Sequence, residues 1–90
     1  MELISEKKIQ EIVNKISSHY FPEKIILFGS YAKGNPELSS DLDLFIIKDS
    51  SLPRYKRSLE VRRSLFGSMI PIDLLIYTPK ENKQQFPPFF

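Results

Sequence analysis

The 90-residue sequence contains no cysteine. That excludes a disulfide framework and a thiolate metal site, and makes a reducing compartment the natural home. Long apolar runs are missing as well. Leu44–Ile47 and Leu74–Tyr77 are far too short to span a bilayer, and the start MELISEKK lacks the apolar h-region of a secretory signal. A cytoplasmic protein with no membrane association is expected. Histidine occurs once, at His19, near the end of an expected helix, where it reads as a surface residue facing the negative helix terminus. There are no internal repeats and no long linker, so residues 1–90 are expected to form one small domain with a single core.

What is present is ordinary in bulk and uneven in detail. Hydrophobic residues make up 41% and charged residues 27%, the balance of a globular protein, and the formal charge of +2 is too small to argue for nucleic acid. Yet Arg54, Lys56, Arg57, Arg62 and Arg63 crowd together with only Glu60 to oppose them, just after the acidic Glu37, Asp41 and Asp43. Such a run is either a solvated helix face or a positive rim that attracts a polyanion.

Periodicity supplies the elements. Ile9, Ile12, Val13 and Ile16 mark one helical face, with Ser5 as N-cap and Pro22 beyond the end. Lys24–Phe28 reads as a buried strand stopped by Gly29, and Ser30–Lys33 as one helical turn. Asp41–Lys48 is a second strand. A helix over about Arg54–Phe66 follows, with Leu59 and Phe66, and Tyr55 beside them, as its apolar side. Ile70–Tyr77 is a third strand. The order predicts an α/β (α+β) fold, a small mixed β-sheet with helices packed on it. Residues 79–90 read as an irregular tail, in which Phe86, Phe89 and Phe90 are apolar but Pro87 and Pro88 forbid a regular element.

The unusual stretch is GSYAKGNPELSSDLDLF, Gly29 to Phe45. Side chains alternate along a strand, so Asp41 and Asp43 would share a face, where like charges repel. A hard divalent cation with oxygen ligands resolves that conflict; the alternative is that Asp41 ends a loop and Asp43 caps a neighbouring element. Asp73 interrupts a third apolar run and could complete a three-carboxylate cluster, or could instead be a buried aspartate paired with an arginine. Gly29-Ser30, between a strand and a helical turn, is where backbone N–H groups favour a phosphate, with Lys33 adding charge.

The pattern G-S-x-A-x-G-x(6)-D-x-D, here Gly29, Ser30, Ala32, Gly34, Asp41 and Asp43, resembles the DNA polymerase β-like nucleotidyltransferase superfamily. The resemblance covers about Lys24 to Tyr77, and the short length looks like the minimal nucleotidyltransferases that serve as antitoxins to HEPN-domain toxins. It implies the nucleotidyltransferase fold and a transfer of a nucleoside monophosphate, AMP from ATP, to a hydroxyl. By the same resemblance Gly29, Ser30 and Lys33 would bind the triphosphate. Asp41 and Asp43 would hold two Mg²⁺ ions, and Asp73 would serve the ion beside the attacking hydroxyl. Many members carry arginine where this chain has Lys33, and often where it has Tyr31, so bidentate phosphate contact is lost here. The chain has no room for an acceptor-gripping domain, so the acceptor is expected on a partner, a tyrosine of a HEPN toxin. Self-association is a further expectation. A non-catalytic antitoxin acting by contact and a nucleic-acid-binding domain are the rival readings; the latter lacks interleaved aromatics.

Overall fold

The computed structural model describes residues 3–37, 40–67 and 69–84. Chain order is α1 (Glu6–Tyr20), β1 (Lys24–Phe28), α2 (Gly29–Lys33), β2 (Leu42–Ile47), α3 (Arg54–Ser64), β3 (Ile72–Tyr77) and α4 (Pro79–Gln84). Helix α1 starts as its sequence requires. The Ser5 hydroxyl accepts the Lys8 N–H at 3.1 Å, satisfying one of the orphan donors of the first turn. The helix stops where Phe21 turns left-handed, φ 53°, and its N–H returns to the Ser17 carbonyl. Pro22 follows and cannot continue the ladder.

The sheet has the order β1-β2-β3, with β1 antiparallel and β3 parallel to the central β2. A parallel pair needs a crossover, which α3 supplies. The mixed α+β architecture expected from the element order is the one observed. Strand β2 is covered on both faces, which is why it reads as a near-continuous apolar run. Leu42, Leu44 and Ile46 meet Ile12 and Ile16 of α1 and Val61 of α3 on one side. Phe45 and Ile47 meet Tyr77 on the other, with Ile26, Phe28 and Leu75 packed alongside.

Three expectations need correction. The apolar side of α3 is not Leu59, Phe66 and Tyr55, which are 54%, 91% and 76% exposed. Its buried face is Arg57, Val61 and Leu65, four residues apart, and Leu59 lies two residues from both Arg57 and Val61, on the opposite side of the helix. The helix also ends at Ser64 rather than Phe66. Secondly, the basic run is not uniformly a solvated face, because Arg57 is buried. Thirdly, the stretch from residue 79 is not irregular throughout, since α4 occupies Pro79–Gln84. Its start is a capping box: the Glu81 N–H donates to Thr78 Oγ1 at 3.1 Å, and the Thr78 N–H donates to Glu81 Oε1 at 2.9 Å. Thr78-Pro79-Lys80-Glu81 carries that signature, with proline at the first helical position. Phe86, Phe89 and Phe90 lie outside the described residues. Among the described residues no helix is long and apolar enough to cross a membrane.

Arg57 and Glu81 tie the fold together. The guanidinium meets Glu81 through both Nη atoms, at 2.5 and 3.1 Å, and donates to the carbonyls of Leu52 at 2.9 Å and Ile76 at 3.0 Å. Arg62 reaches the Ile72 carbonyl at 3.4 Å. Ile72 and Ile76 alternate with Pro71 and Tyr77, whose carbonyls bond toward β2, so both arginines lie along the outer edge of β3 and obstruct pairing with another chain.

The bond from Arg57, then that from the Thr78 N–H, hold the Glu81 carboxyl well down, from 4.5 to about 2. A depressed carboxylate stabilises the fold fully above its unfolded pKa and loses that contribution as pH falls through the folded one. The contribution at neutral pH is about 3 kcal/mol, at about 1.4 kcal/mol per pH unit. Urea unfolding of Glu81→Gln beside the unsubstituted protein should show a deficit of about 2–3 kcal/mol at pH 7 that shrinks below pH ~4.5 and vanishes near pH ~2. A pH-independent deficit would mean that packing, not the ion pair, is at stake.

Candidate functional site

The site is set by register. Strand β1 ends at Phe28, which lies opposite Asp43, and Asp43 is in turn the parallel neighbour of Asp73. The residue after Phe28 is Gly29, with φ 76°, and the chain there turns into α2. A Cβ added at Gly29 would stand 2.1 Å from Asp43 Oδ2. Glycine is therefore required twice, for a left-handed backbone and for the volume that the carboxylate occupies. Gly34 closes α2 with φ 81°, but a Cβ there would meet nothing within 4 Å.

Strand β2 begins at Leu42, one residue later than expected, because pairing with the β3 side starts with the Leu42 N–H donating to the Pro71 carbonyl. Asp41 is consequently an exposed loop residue at the mouth of the strand. It still acts on Asp43. Burial, the charge of Asp73, the charge of Asp41 and a hydrogen bond shared with Asp73 all push the Asp43 carboxyl above the ordinary range. Asp73 is exposed, not buried. The described ion pairs involve only Glu11 and Glu81 as acids, so the arginine-paired reading of Asp73 finds no support. The three aspartates are thus brought to one end of the sheet, and one is half-buried and reluctant to ionise. Among the described residues, however, no group of three or more His, Cys, Asp or Glu side chains is arranged to hold a metal ion by itself.

The phosphate side of the site is modest. Helix α2 has five residues, too few for much macrodipole, so anion binding would rest on backbone N–H groups and the Ser30 hydroxyl. Lys33 is exposed in its last turn. A cavity of about 270 Å³ adjoins the turn, lined by Phe28, Gly29, Ala32, Lys33 and Phe45 among others. A wider one, about 460 Å³, lies between the start of α1 and Met69–Pro71, and among the described residues no carboxylate lines it. Tyr31 is engaged in holding the fold. Its hydroxyl accepts the Ile4 N–H at 3.0 Å and its ring packs on the core, so it anchors the chain before α1 to α2. No local pattern announces that bond, which spans 27 residues.

Residues 7–86 match the family described as "Polymerase beta, Nucleotidyltransferase". The chain belongs to this family. A protein of Methanocaldococcus jannaschii whose name is "Putative protein adenylyltransferase" is 50% identical over 46 residues, 49% of this chain and 46% of its own length. Caffeine-induced protein 16 of Schizosaccharomyces pombe is 37% identical over 68 residues, 73% of this chain but 5% of its own. The chain thus spans less than half the length of either curated relative. A crystal structure from Sulfolobus solfataricus, described as a "putative nucleotidyltransferase", superposes with a TM-score of 0.66 at 25% identity, over 87% of this chain and 70% of that one. The fold is accordingly that of the family.

The two glycines give a controlled test of the register. Gly29→Ala adds both the left-handed strain and the clash with Asp43, whereas Gly34→Ala adds strain alone. Gly34→Ala should cost about 1 kcal/mol in denaturant unfolding, and Gly29→Ala clearly more, about 2–4 kcal/mol. Equal losses would show that the Asp43 carboxylate does not press against Gly29.

Proposed function

We propose that this nucleotidyltransferase moves AMP from ATP to a hydroxyl of a partner protein in a Mg²⁺-dependent reaction. The partner we infer is a HEPN-type toxin that is neutralised when one of its tyrosines is modified. The observation that carries the reading is the close approach of Gly29 to the Asp43 carboxylate and the register pairing of Asp43 with Asp73. The printed name of the archaeal relative supports protein as the acceptor class.

The residues suit the metal in their chemistry. Asp41, Asp43 and Asp73 offer hard oxygen donors with no ion-pair partner among the described residues, and burial first, then the charges of Asp73 and Asp41, raises the pKa of the Asp43 carboxyl. Because no three close on an ion by themselves, the remaining ligands would come from nucleotide phosphates and water, as Mg²⁺ prefers. When bound, the ions would supply charge stabilisation to the attacking and leaving oxygens. Asp41 and Asp43 would hold them. The Gly29 backbone and the Ser30 hydroxyl would hold the β- and γ-phosphates, with Lys33 adding positive charge from the rim. The acceptor oxygen then bonds to the α-phosphorus, the bond from that phosphorus to the bridging oxygen breaks, and pyrophosphate leaves. Asp73, exposed like Asp41, would take the proton of the acceptor.

A module that neutralises its partner by contact alone is the second reading, favoured by the exposed apolar residues of α3. Nucleic-acid binding loses ground, since Glu81 engages Arg57 and Arg54 of the basic run.

Asp73→Asn separates binding from transfer. ATP affinity with Mg²⁺ should fall only modestly, while transfer of labelled AMP to the partner should drop on the order of 10²-fold, the scale of a lost positioned base. Asp41→Asn with Asp43→Asn should abolish Mg²⁺-dependent ATP binding and leave the melting temperature unchanged or higher, because repulsion is relieved. Unaltered ATP binding in that double variant would remove the pair from the site, and absence of transfer by the unsubstituted protein would favour the contact reading.

A further inference from the structure

The residues mistaken for the inner side of α3 form an outer one. Tyr55 and Leu59 are four residues apart, so at about 100° per residue they fall within roughly 40° of each other around the helix, and Phe66 is exposed in the turn just beyond its end at Ser64. Leu52 before the helix and Met69 after it are exposed too, at 40% and 90%. The same count sets Arg62 on one flank of this stripe and Lys56 and Arg63 on the other. Clusters of exposed large apolar groups with a polar rim mark contact surfaces more often than chance.

Charge decides the occupant. Arg54 and Arg57 are engaged by Glu81, at 3.8 and 2.5 Å, so they are not part of the outer rim. Lys56, Arg62 and Arg63 remain on it, and Glu60 is the one acidic residue of α3. A symmetric contact between two copies through this face would set cationic rim against cationic rim, which disfavours a second copy. The placement also matters, because Arg62 reaches the Ile72 carbonyl, one residue before Asp73.

We propose that the outer face of α3 is the docking surface for a partner protein that presents an apolar helix bordered by carboxylates. Its apolar side covers Tyr55, Leu59 and Phe66, and its carboxylates meet Lys56, Arg62 and Arg63. Docked there, the partner meets Arg62, which also reaches the Ile72 carbonyl beside Asp73. That this partner also bears the acceptor hydroxyl rests on the transfer reaction proposed above; the docking surface itself does not.

The probes are two fluorescent helical peptides with the same leucine face, one bordered by glutamates and one by lysines, titrated by anisotropy into the full chain. The glutamate peptide should bind, at least ~10-fold more weakly to the Leu59→Ser/Phe66→Ser variant and more weakly at high salt. The lysine peptide should not bind, and sedimentation should find the chain alone monomeric. Circular dichroism and ATP binding of the variant should match the unsubstituted protein, so that a lost peptide contact is not read as a lost fold. Equal binding of both peptides, binding of neither, or self-association abolished by the variant would each overturn the proposal. Failure of ATP binding in the unsubstituted chain would instead bring down the transfer reaction and leave the docking result standing.

Discussion

Asp43 occupies the second position of the most buried strand in the protein, with Phe28 across one side and Asp73 across the other. That placement constrains everything around it. The carboxylate fills the space a side chain at residue 29 would need, so the turn after β1 must be glycine. Burial and two neighbouring aspartates raise its pKa, so the folded protein holds an unrelieved concentration of negative charge at one end of the sheet. A core-bearing strand that keeps a half-buried, uncompensated carboxylate lowers its own stability there. The arrangement makes physical sense where a cation with its phosphates is to be received.

A domain with three strands has little core with which to absorb such a cost, and two of its three strands are edges. Its answer is a polar knot away from the site. Arg57 joins the Leu52 and Ile76 carbonyls to Glu81, which also accepts from the Thr78 N–H that opens α4. One guanidinium thereby fastens the loop before α3, the outer edge of β3 and the start of α4. Buried pairs of this kind add less net stability than apolar packing would, but they are strongly destabilising when half is removed. The knot and the carboxylates lie toward opposite ends of β3, which separates the part that holds the fold from the part proposed to do the chemistry.

Much of the architecture was legible because its signals are local. Ser5 and Pro22 bracket α1, the β-branched runs mark the strands, and Gly29, Ser30, Asp41, Asp43 and Asp73 stand out in the sequence by type and spacing. Their meeting was legible only in part. Asp41 was assigned to the strand by alternation, but strand ends are set by where a neighbour begins to pair, and Leu42 is the first residue that does. Helix α4 was missed although its capping box is written in Thr78 and Glu81, because two later prolines suggested irregularity for the whole stretch.

Helix α3 shows the limit most clearly. Its amphipathicity is weak in sequence, since the buried face contains an arginine and the exposed face contains Tyr55, Leu59 and Phe66. Hydropathy alone therefore assigns the two sides the wrong way round. By itself the sequence determined the element order from α1 to β3, the glycine turn and the set of acidic residues, because these depend on neighbours within a few positions along the chain. The tertiary structure alone decided which face of α3 is inside, that Arg57 finds Glu81 and that Asp43 stands between Gly29 and Asp73. Burial and register are properties of segments that meet across the sheet, and no local pattern carries them.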